Sequence, residues 1–488
     1  MRKCVVLING VAGLLVASFV VALRTGEMPL GVKGEWEWLR IVLQPSGVEV
    51  GIAGGCVAVY AVFVGIMKKW LSVAGPRWRE VVAVLALMIA AVGVQIGVHS
   101  GAPTGYGLAK WVMAIHQPGA SGYFTVAKKE VRDGRAFLSA YPDWIQKQDS
   151  LHVGTHPPGL IMCVYTILRT MEDAPGLARF VVDHAPYTVA MAFRYYGQQN
   201  PMTTADRATL TLTGFLTMLA CAGSVAPLYV LARANLSASG SWSTATLWPL
   251  APSAILFQPA SDTAIAMLST SAFALAIFAG INRGRRSAEL ALATGVVLAI
   301  GMQVTLAFLA VGMVVALVVI SGRGGTGWEK GVTLAGIGAG FLGLTMAVWG
   351  ATGANPFVIW WWNQRNHARF YEEFTRSYWA WVIENPIELA VGIGLPAVVW
   401  GCVGAVWPKE FPRVSLATAG VLVLLTLGGR NLSEVGRLWI PFMPSLLVGA
   451  GFAMERAGCG SKSLGTMVGL IGIQTLAMEA TIQVVYPI

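Results

Sequence analysis

The stretch from Gln258 to Ile281, QPASDTAIAMLSTSAFALAIFAGI, sets the class of this protein. After Asp262 it reaches Ile281 without another charged residue. That is close to the roughly twenty apolar residues a helix needs to cross a bilayer core. The Gln-Pro-Ala-Ser-Asp opening reads as a helix start, where an aspartate is favoured by capping and by the helix dipole. At membrane depth an acidic residue is equally a default functional candidate, and the sequence leaves both readings of Asp262 open.

Working outward, similar apolar spans occur near 4–23, 48–67, 80–98, 156–171, 208–232, 241–258, 287–302, 303–321, 331–350, 386–407, 413–428, 437–455 and 463–485. Some are short, so tilted, broken or re-entrant pieces are expected among 12–14 crossings. Composition agrees. Only 12% of the 488 residues are charged and 55% are hydrophobic, with a mean hydropathy of +0.63, against about 25% charged residues in soluble domains. The reading is a single all-α membrane domain over residues 1–488, a polytopic transmembrane bundle whose outer loops fold into short amphipathic helices.

The formal charge of +10 does not signal nucleic acid. Its cations sit in short clusters between apolar segments, as the positive-inside rule expects, with no basic stripe interleaved with aromatics. Lys68, Lys69, Arg77, Arg79, Arg283, Arg285, Arg286, Arg323, Lys330, Lys409, Arg413, Arg456 and Lys462 are taken as cytoplasmic. The N-terminus then lies in the cytoplasm as an uncleaved first helix, in a bacterial-type plasma (inner) membrane. Segments 24–47, 99–155, the region before Asp262, 351–385 and 429–436 fall outside. Residues 172–207 are too polar for an ordinary crossing, yet the alternation calls for a pass there; a re-entrant or interfacial helix would resolve it. The six cysteines lack metal spacings and read as small apolar residues.

Polar chemistry gathers in the outer segments. The run Tyr141–Gly159, YPDWIQKQDSLHVGTHPPG, holds Asp143, Asp149, His152 and His156, and its double proline marks a helix start. Asp133 lies just upstream. Each carboxylate is a candidate proton acceptor, against the simpler reading of a solvated loop residue. In GGRNLSEVGRLW, Arg430 and Arg437 stand outside against the charge rule, which suits phosphate recognition or, more plainly, pairing with Glu434 or lipid headgroups. In the aromatic segment 351–385, Glu372 with Arg376 and Arg369 with Glu373 have the spacing of ordinary helix pairs, and Asn366 lies nearby; His367 and Arg369 are retained as substrate candidates. There is no GxxxxGK[ST], HExxH, GxSxG or DxD.

At these residues the chain resembles the GT-C superfamily of integral-membrane glycosyltransferases, in particular the protein mannosyltransferase and aminoarabinose transferase group. The resemblance rests on a polar outer loop ending in His156-Pro157-Pro158-Gly159, a Pro-x-x-Asp helix start from Pro259 to Asp262, and a later segment with Glu434, Arg437, Trp439 and Pro444. It covers residues 100–450 as an order of features. It implies transfer of a sugar from a polyprenyl-phosphate donor to a saccharide, lipid or protein acceptor at the outer face, with inversion. No cofactor is required, and a role for a divalent metal is left open. By the same resemblance an acidic residue of the large outer loop acts as general base or orients the acceptor, a role carried over to Asp133, Asp143 or Asp149. From the residues themselves His156 joins these as a catalytic candidate, and Asp262, Arg437, Arg430, His152, His367 and Arg369 are candidates for binding substrate. Two departures stand: the large loop follows the third apolar span rather than the first, and its early part lacks carboxylates. Glu27, Glu35 and Glu37 in the short loop after the first span are thus alternative bases. A transporter or flippase for a lipid-linked saccharide is the rival; it would place ionisable groups inside the helices and often show internal repeats, and no repeat is apparent.

Overall fold

The computed structural model describes residues 2–484 apart from 29, 42, 74, 323 and 324. Arg323 and the end of the 463–485 span lie outside the described residues. The chain is 76% helical. Among the described residues the strands form two short antiparallel pairs: Gly31–Val32 with Trp36–Glu37, and Leu39–Arg40 with Ile482–Gln483. Gly31 takes φ +95°, and a Cβ there would stand 2.2 Å from the Trp36 carbonyl oxygen, so this turn requires glycine.

Among the described residues seven helices are long and apolar enough to cross a membrane: Lys3–Thr25, Gly47–Leu71, Trp78–His99, Thr204–Arg233, Ser261–Ile281, Gly327–Thr352 and Val435–Arg456. Tyr378–Ile393 and Leu395–Gly404 add an eighth if their 105° bend lies within one span. Leu14, Val59 and Ile89 point outward and are more than two-thirds exposed, at 72%, 71% and 76%. An apolar exterior of this kind is matched by lipid, so the protein is a polytopic integral-membrane helical bundle.

The seven or eight fall short of the 12–14 expected crossings, for identifiable reasons. Pro249 and Pro252 divide the 241–258 span into Ala238–Ala245, a 3-10 turn at Trp248–Leu250, and Pro252–Leu256. Ala307–Ser321 and Arg413–Leu427 are apolar but only 15 residues each, about 22 Å of helix at 1.5 Å per residue.

The clearest departure is at 156–171. Gly159–Asp173 is amphipathic and packs against Tyr123–Lys129 and Thr204–Gly223. Along it, Tyr165 donates to the Arg132 carbonyl (3.4 Å) and Arg169 to that of Val131 (3.4 Å), so the helix stays with the loop that precedes it. Pro175–Asp183 and Tyr187–Tyr196 follow, and Tyr196 Oη meets His116 Nδ1 at 3.0 Å. Lys128 pairs with Asp206 at 2.6 Å, at the start of the next long helix. The chain therefore leaves the bundle at His99 and returns at Thr204 at the same end. The additional pass is not needed, and 172–207 forms two short surface helices.

Contacts sort the helix ends into two groups. At one end Lys68 donates to Ser243 (2.6 Å), Arg233 pairs with Glu80 (3.0 Å), Arg456 pairs with Glu410, and Glu455 accepts from Ser237 (2.8 Å). At the other, His99 meets Glu479 (2.7 Å), Glu384 accepts from Gly31 N (3.0 Å), and Asp262 faces Arg437 (3.9 Å). The Ser261–Ile281 helix runs from the second group to the first.

Candidate functional site

The turn that presents Asp262 is braced from inside the bundle. Gln258, fully buried, donates to the Ala254 carbonyl (2.9 Å) and to Gln95 Oε1 (3.1 Å), and its own Oε1 lies 3.1 Å from His99 Nε2. His99 Nδ1 in turn lies 2.7 Å from Glu479 Oε1. Lys110, also fully buried, donates to the Leu256 carbonyl at 2.7 Å. The peptide between Gln258 and Pro259 is cis. Buried polar groups of this kind are stable only when partnered, so the network fixes where the Ser261–Ile281 helix begins.

Beyond that turn lies a cavity of ≈390 Å³. Tyr123, His152, His156, Asp262 and Arg437 line its polar head; Leu160, Val164, Leu216, Met267 and Leu268 are among its apolar walls. Leu216, Met267 and Cys163 are exposed on the outside of the bundle, so the apolar part opens sideways toward lipid. Arg437 Nη2 pairs with Glu434 at 2.6 Å, while its buried Nε has no hydrogen-bond partner and stands 3.9 Å from Asp262 Oδ2. Among the described residues the Asp262 carboxylate accepts no hydrogen bond, although its side chain is only 14% exposed. His156 Nδ1 lies 2.8 Å from the His152 carbonyl oxygen. A carbonyl can only accept, so Nδ1 carries the proton and Nε2 is left as an acceptor.

The loop that delivers Arg437 is held on every side. Ser433 (φ +115°) and Glu434 (φ +57°) are consecutive non-glycine residues in the left-handed region, a conformation costing about 1–3 kcal/mol per residue that persists only when the surroundings enforce it. Tyr371 Oη accepts from Leu432 N (3.0 Å) and donates to the Arg430 carbonyl (3.3 Å). Arg376 Nε donates to Ser433 Oγ at 3.3 Å, and Asn385 donates to the Asn431 carbonyl at 2.7 Å. The buried Glu388 carboxylate accepts from Gly436 N and from Trp38 Nε1, both at 3.1 Å. A Cβ on Gly436 would lie 2.7 Å from the Trp38 ring, so the backbone approaches that indole as only glycine permits.

The histidine loop is held by the aromatic helix Pro356–Glu373. Asn363 and Asn366 both donate to the Gly154 carbonyl (3.1 and 2.9 Å), and Arg369 donates to that of Gln148 (2.6 Å). A Cβ on Gly154 would fall 1.9 Å from the Asp149 carbonyl oxygen. His367 packs edge-on against Tyr371 with ring centroids 5.3 Å apart.

The structure thus brings Asp262, Arg437, His152 and His156 to one cavity and adds Tyr123. It does not bring the loop carboxylates there. Asp133 is exposed and caps the Gly134–Trp144 helix by accepting from Ala136 N (2.6 Å). Asp149 is exposed and accepts from Leu151 N (3.0 Å); Asp143 is exposed beside Gln146. Arg430 is exposed, Arg369 braces the loop beside Glu373, and His367 lies behind the lining. Of the alternative bases, Glu35 accepts from Ser377 N (3.0 Å) and Trp381 Nε1 (2.7 Å), while Glu27 and Glu37 are exposed. Tyr123, Glu388, Trp38 and Glu479 escape sequence reading. A glutamate inside each of two apolar spans was the available signal for Glu388 and Glu479.

Burial sets the electrostatics of the loop. His152 is pushed well below the ordinary imidazole range by burial and then by the Arg437 and His156 charges. Burial also lowers His156, with Asp262 and the bond to the His152 carbonyl opposing and Arg437 assisting. Burial, aided by His156 and Arg430, lowers His367 to about 4. Burial raises the Tyr123 phenol, with Asp262 assisting, so it stays a neutral donor. At neutral pH the cavity head therefore holds two neutral imidazoles and a phenol beside Asp262 and Arg437. Among the described residues no group of three or more His, Cys, Asp or Glu side chains is arranged to hold a metal ion. No protein-family model and no curated protein matches this chain.

Proposed function

We propose that this protein is a GT-C-like membrane glycosyltransferase that moves a sugar from a polyprenyl-phosphate carrier to an acceptor hydroxyl. The reading is carried by one observation: Asp262 and Arg437 Nε, 3.9 Å apart and among the described residues without a hydrogen bond, head with His152, His156 and Tyr123 an apolar cavity that opens sideways to lipid. The isoprenoid chain would enter through the apolar side, with its phosphate against Arg437 and the sugar among the imidazoles and the phenol.

In this reaction the acceptor oxygen forms a bond to the anomeric carbon as the bond from that carbon to the phosphate oxygen breaks. Polyprenyl phosphate leaves with the electron pair, and Arg437 stabilises the charge as it develops, in a site largely shielded from water. The acceptor proton passes to Asp262, the one carboxylate among the described residues that line the cavity, while His156 Nε2 accepts a hydrogen bond from the sugar or the acceptor. Attack opposite the leaving phosphate inverts the anomeric centre. The clustering of Lys and Arg at the far end of the bundle supports placing that end in the cytoplasm and the site outside, in a bacterial-type plasma membrane.

A second reading, a transporter for the same lipid-linked saccharide, is favoured by the buried His99, Glu479 and Lys110 set between the helices. Proteoliposomes separate the two. Radiolabelled sugar is supplied on polyprenyl phosphate, with transfer to acceptor and movement of intact donor across the bilayer followed in parallel. Transfer by wild type that is lost in Asp262→Asn and Arg437→Ala supports the enzyme. Donor movement without transfer supports the transporter, and transfer undiminished in both variants rejects this site.

A further inference from the structure

At the opposite end of the Ser261–Ile281 helix lies a second and larger cleft, ≈740 Å³ in volume. It sits between the last turns of that helix and of Ala307–Ser321, and the first turns of Gly284–Met302 and Gly327–Thr352, beside Arg413. Small residues such as Ala276, Ala279 and Gly336 line its depth and leave it unfilled. Ile281, Val332 and Trp328 on its rim are exposed by 57%, 52% and 80%, so it opens to the surroundings of the bundle rather than inward. An exposed tryptophan on such a rim is typical of the membrane–water boundary.

Among the described residues the mouth carries an excess of positive charge, and both of its carboxylates are already paired. Arg283 pairs with Glu329 at 2.8 Å, and Glu410 pairs with Arg456. Both carboxylates at the mouth are therefore committed. Lys330 donates to the Ile320 carbonyl (2.8 Å) and keeps its charge and remaining donors. Arg413, half-buried, has no hydrogen bond or ion pair among the described residues. A guanidinium held at the edge of an apolar cleft without a counter-ion suits a phosphate oxygen pair.

We propose that this cleft is a binding site for an anionic glycerophospholipid, with an acyl chain in the apolar depth and the phosphate on Arg413 and Lys330. An anionic headgroup is selected over a zwitterionic one because Glu329 and Glu410 are already paired, which leaves no carboxylate for a choline or ethanolamine cation. The site is separate from the Asp262 cavity and does not depend on the reaction assigned there.

The test is retention of labelled phosphatidylglycerol against labelled phosphatidylcholine by the full-length protein, taken from mixed liposomes into detergent and read by native mass spectrometry. Wild type should retain phosphatidylglycerol preferentially. Arg413→Gln and Lys330→Gln should each lower that preference about fivefold, the effect of roughly one basic side chain at an anionic surface. Arg413→Lys should keep most of it, and Arg77→Gln, at the same end but outside the cleft, should keep all of it. Equal retention of the two lipids by wild type, or an Arg413→Gln variant that retains phosphatidylglycerol as wild type does, overturns the proposal. So does displacement of the lipid by millimolar inorganic phosphate, which would make this a headgroup-only site. Thermal midpoints of the variants separate loss of the site from loss of the fold.

Discussion

The two ends of the Ser261–Ile281 helix face cavities of opposite character. At its start, buried charge is left partly unmatched: among the described residues Asp262 accepts no hydrogen bond and Arg437 Nε donates none, although they stand 3.9 Å apart. At its far end most charges are matched and largely exposed, as in Arg283 with Glu329, whose side chains are 57% and 40% exposed. Buried groups without partners are costly and exposed pairs contribute little. The contrast teaches where to look for chemistry in this bundle: the informative polar groups are those the fold encloses without satisfying.

That contrast can be broken or sharpened by experiment, and the largest effect belongs to Arg437. Arg437→Ala should lower sugar transfer by about 10²–10³-fold, the usual loss when a donor to developing charge is removed. Transfer rates in proteoliposomes at saturating donor decide it. Asp262→Asn should cost on the order of 10²-fold through loss of the proton acceptor. By contrast Asp143→Asn should leave the rate within about twofold, since an exposed loop carboxylate away from the cavity has no proton to take. If Asp143→Asn matched Asp262→Asn, the site would move to the loop.

Glu388→Ala comes next and tests the scaffold. It orphans Trp38 Nε1 and Gly436 N together, at about 1–3 kcal/mol for each buried group left unpaired. A lower thermal midpoint in detergent is expected, with Glu388→Gln recovering only part of it because its single amide oxygen replaces one of the two acceptors.

A smaller effect concerns pH. His367 has a folded value of about 4, below the ordinary imidazole value of about 6.5. Between these values the unfolded chain binds the proton that the folded one refuses, so stability contributed by neutral His367 is intact above about pH 6.5 and declines as pH falls toward 4. His367→Asn should flatten that part of the stability profile. Smallest of all is the far-end pair: Arg283→Ala should change stability by about 0–1 kcal/mol, as exposed ion pairs do. A larger loss would show that the far end is not the relaxed surface its exposure indicates.

Much of this architecture was legible in the sequence. Membrane character follows from composition and apolar spans, and Asp262, Arg437, His152 and His156 were each singled out by residue type and placement. The structure sets the loop carboxylates apart from the cavity: Asp133 and Asp149 bond nearby backbone N–H groups, a use of aspartate that sequence alone does not separate from catalysis. The 156–171 span also misled, because its apolar residues cover one face against Tyr123–Lys129 and Thr204–Gly223 rather than the whole circumference. Tyr123 could not be found at all. It is an ordinary tyrosine until the fold sets its ring 6.0 Å from that of His156.

The pairing of His99 with Glu479 spans 380 residues of chain. Lys110 is made soon after His99, and both are fully enclosed in the finished bundle. During synthesis these two cationic-type side chains exist for most of translation with their carboxylate still unmade. The carboxylate that meets His99 comes with Ser461–Glu479, the last long helix among the described residues. The strand pairing of Leu39–Arg40 with Ile482–Gln483 then closes over the same region. The turn that presents Asp262 thus rests, through Gln258 and His99, on a carboxylate that lies near the far end of the chain.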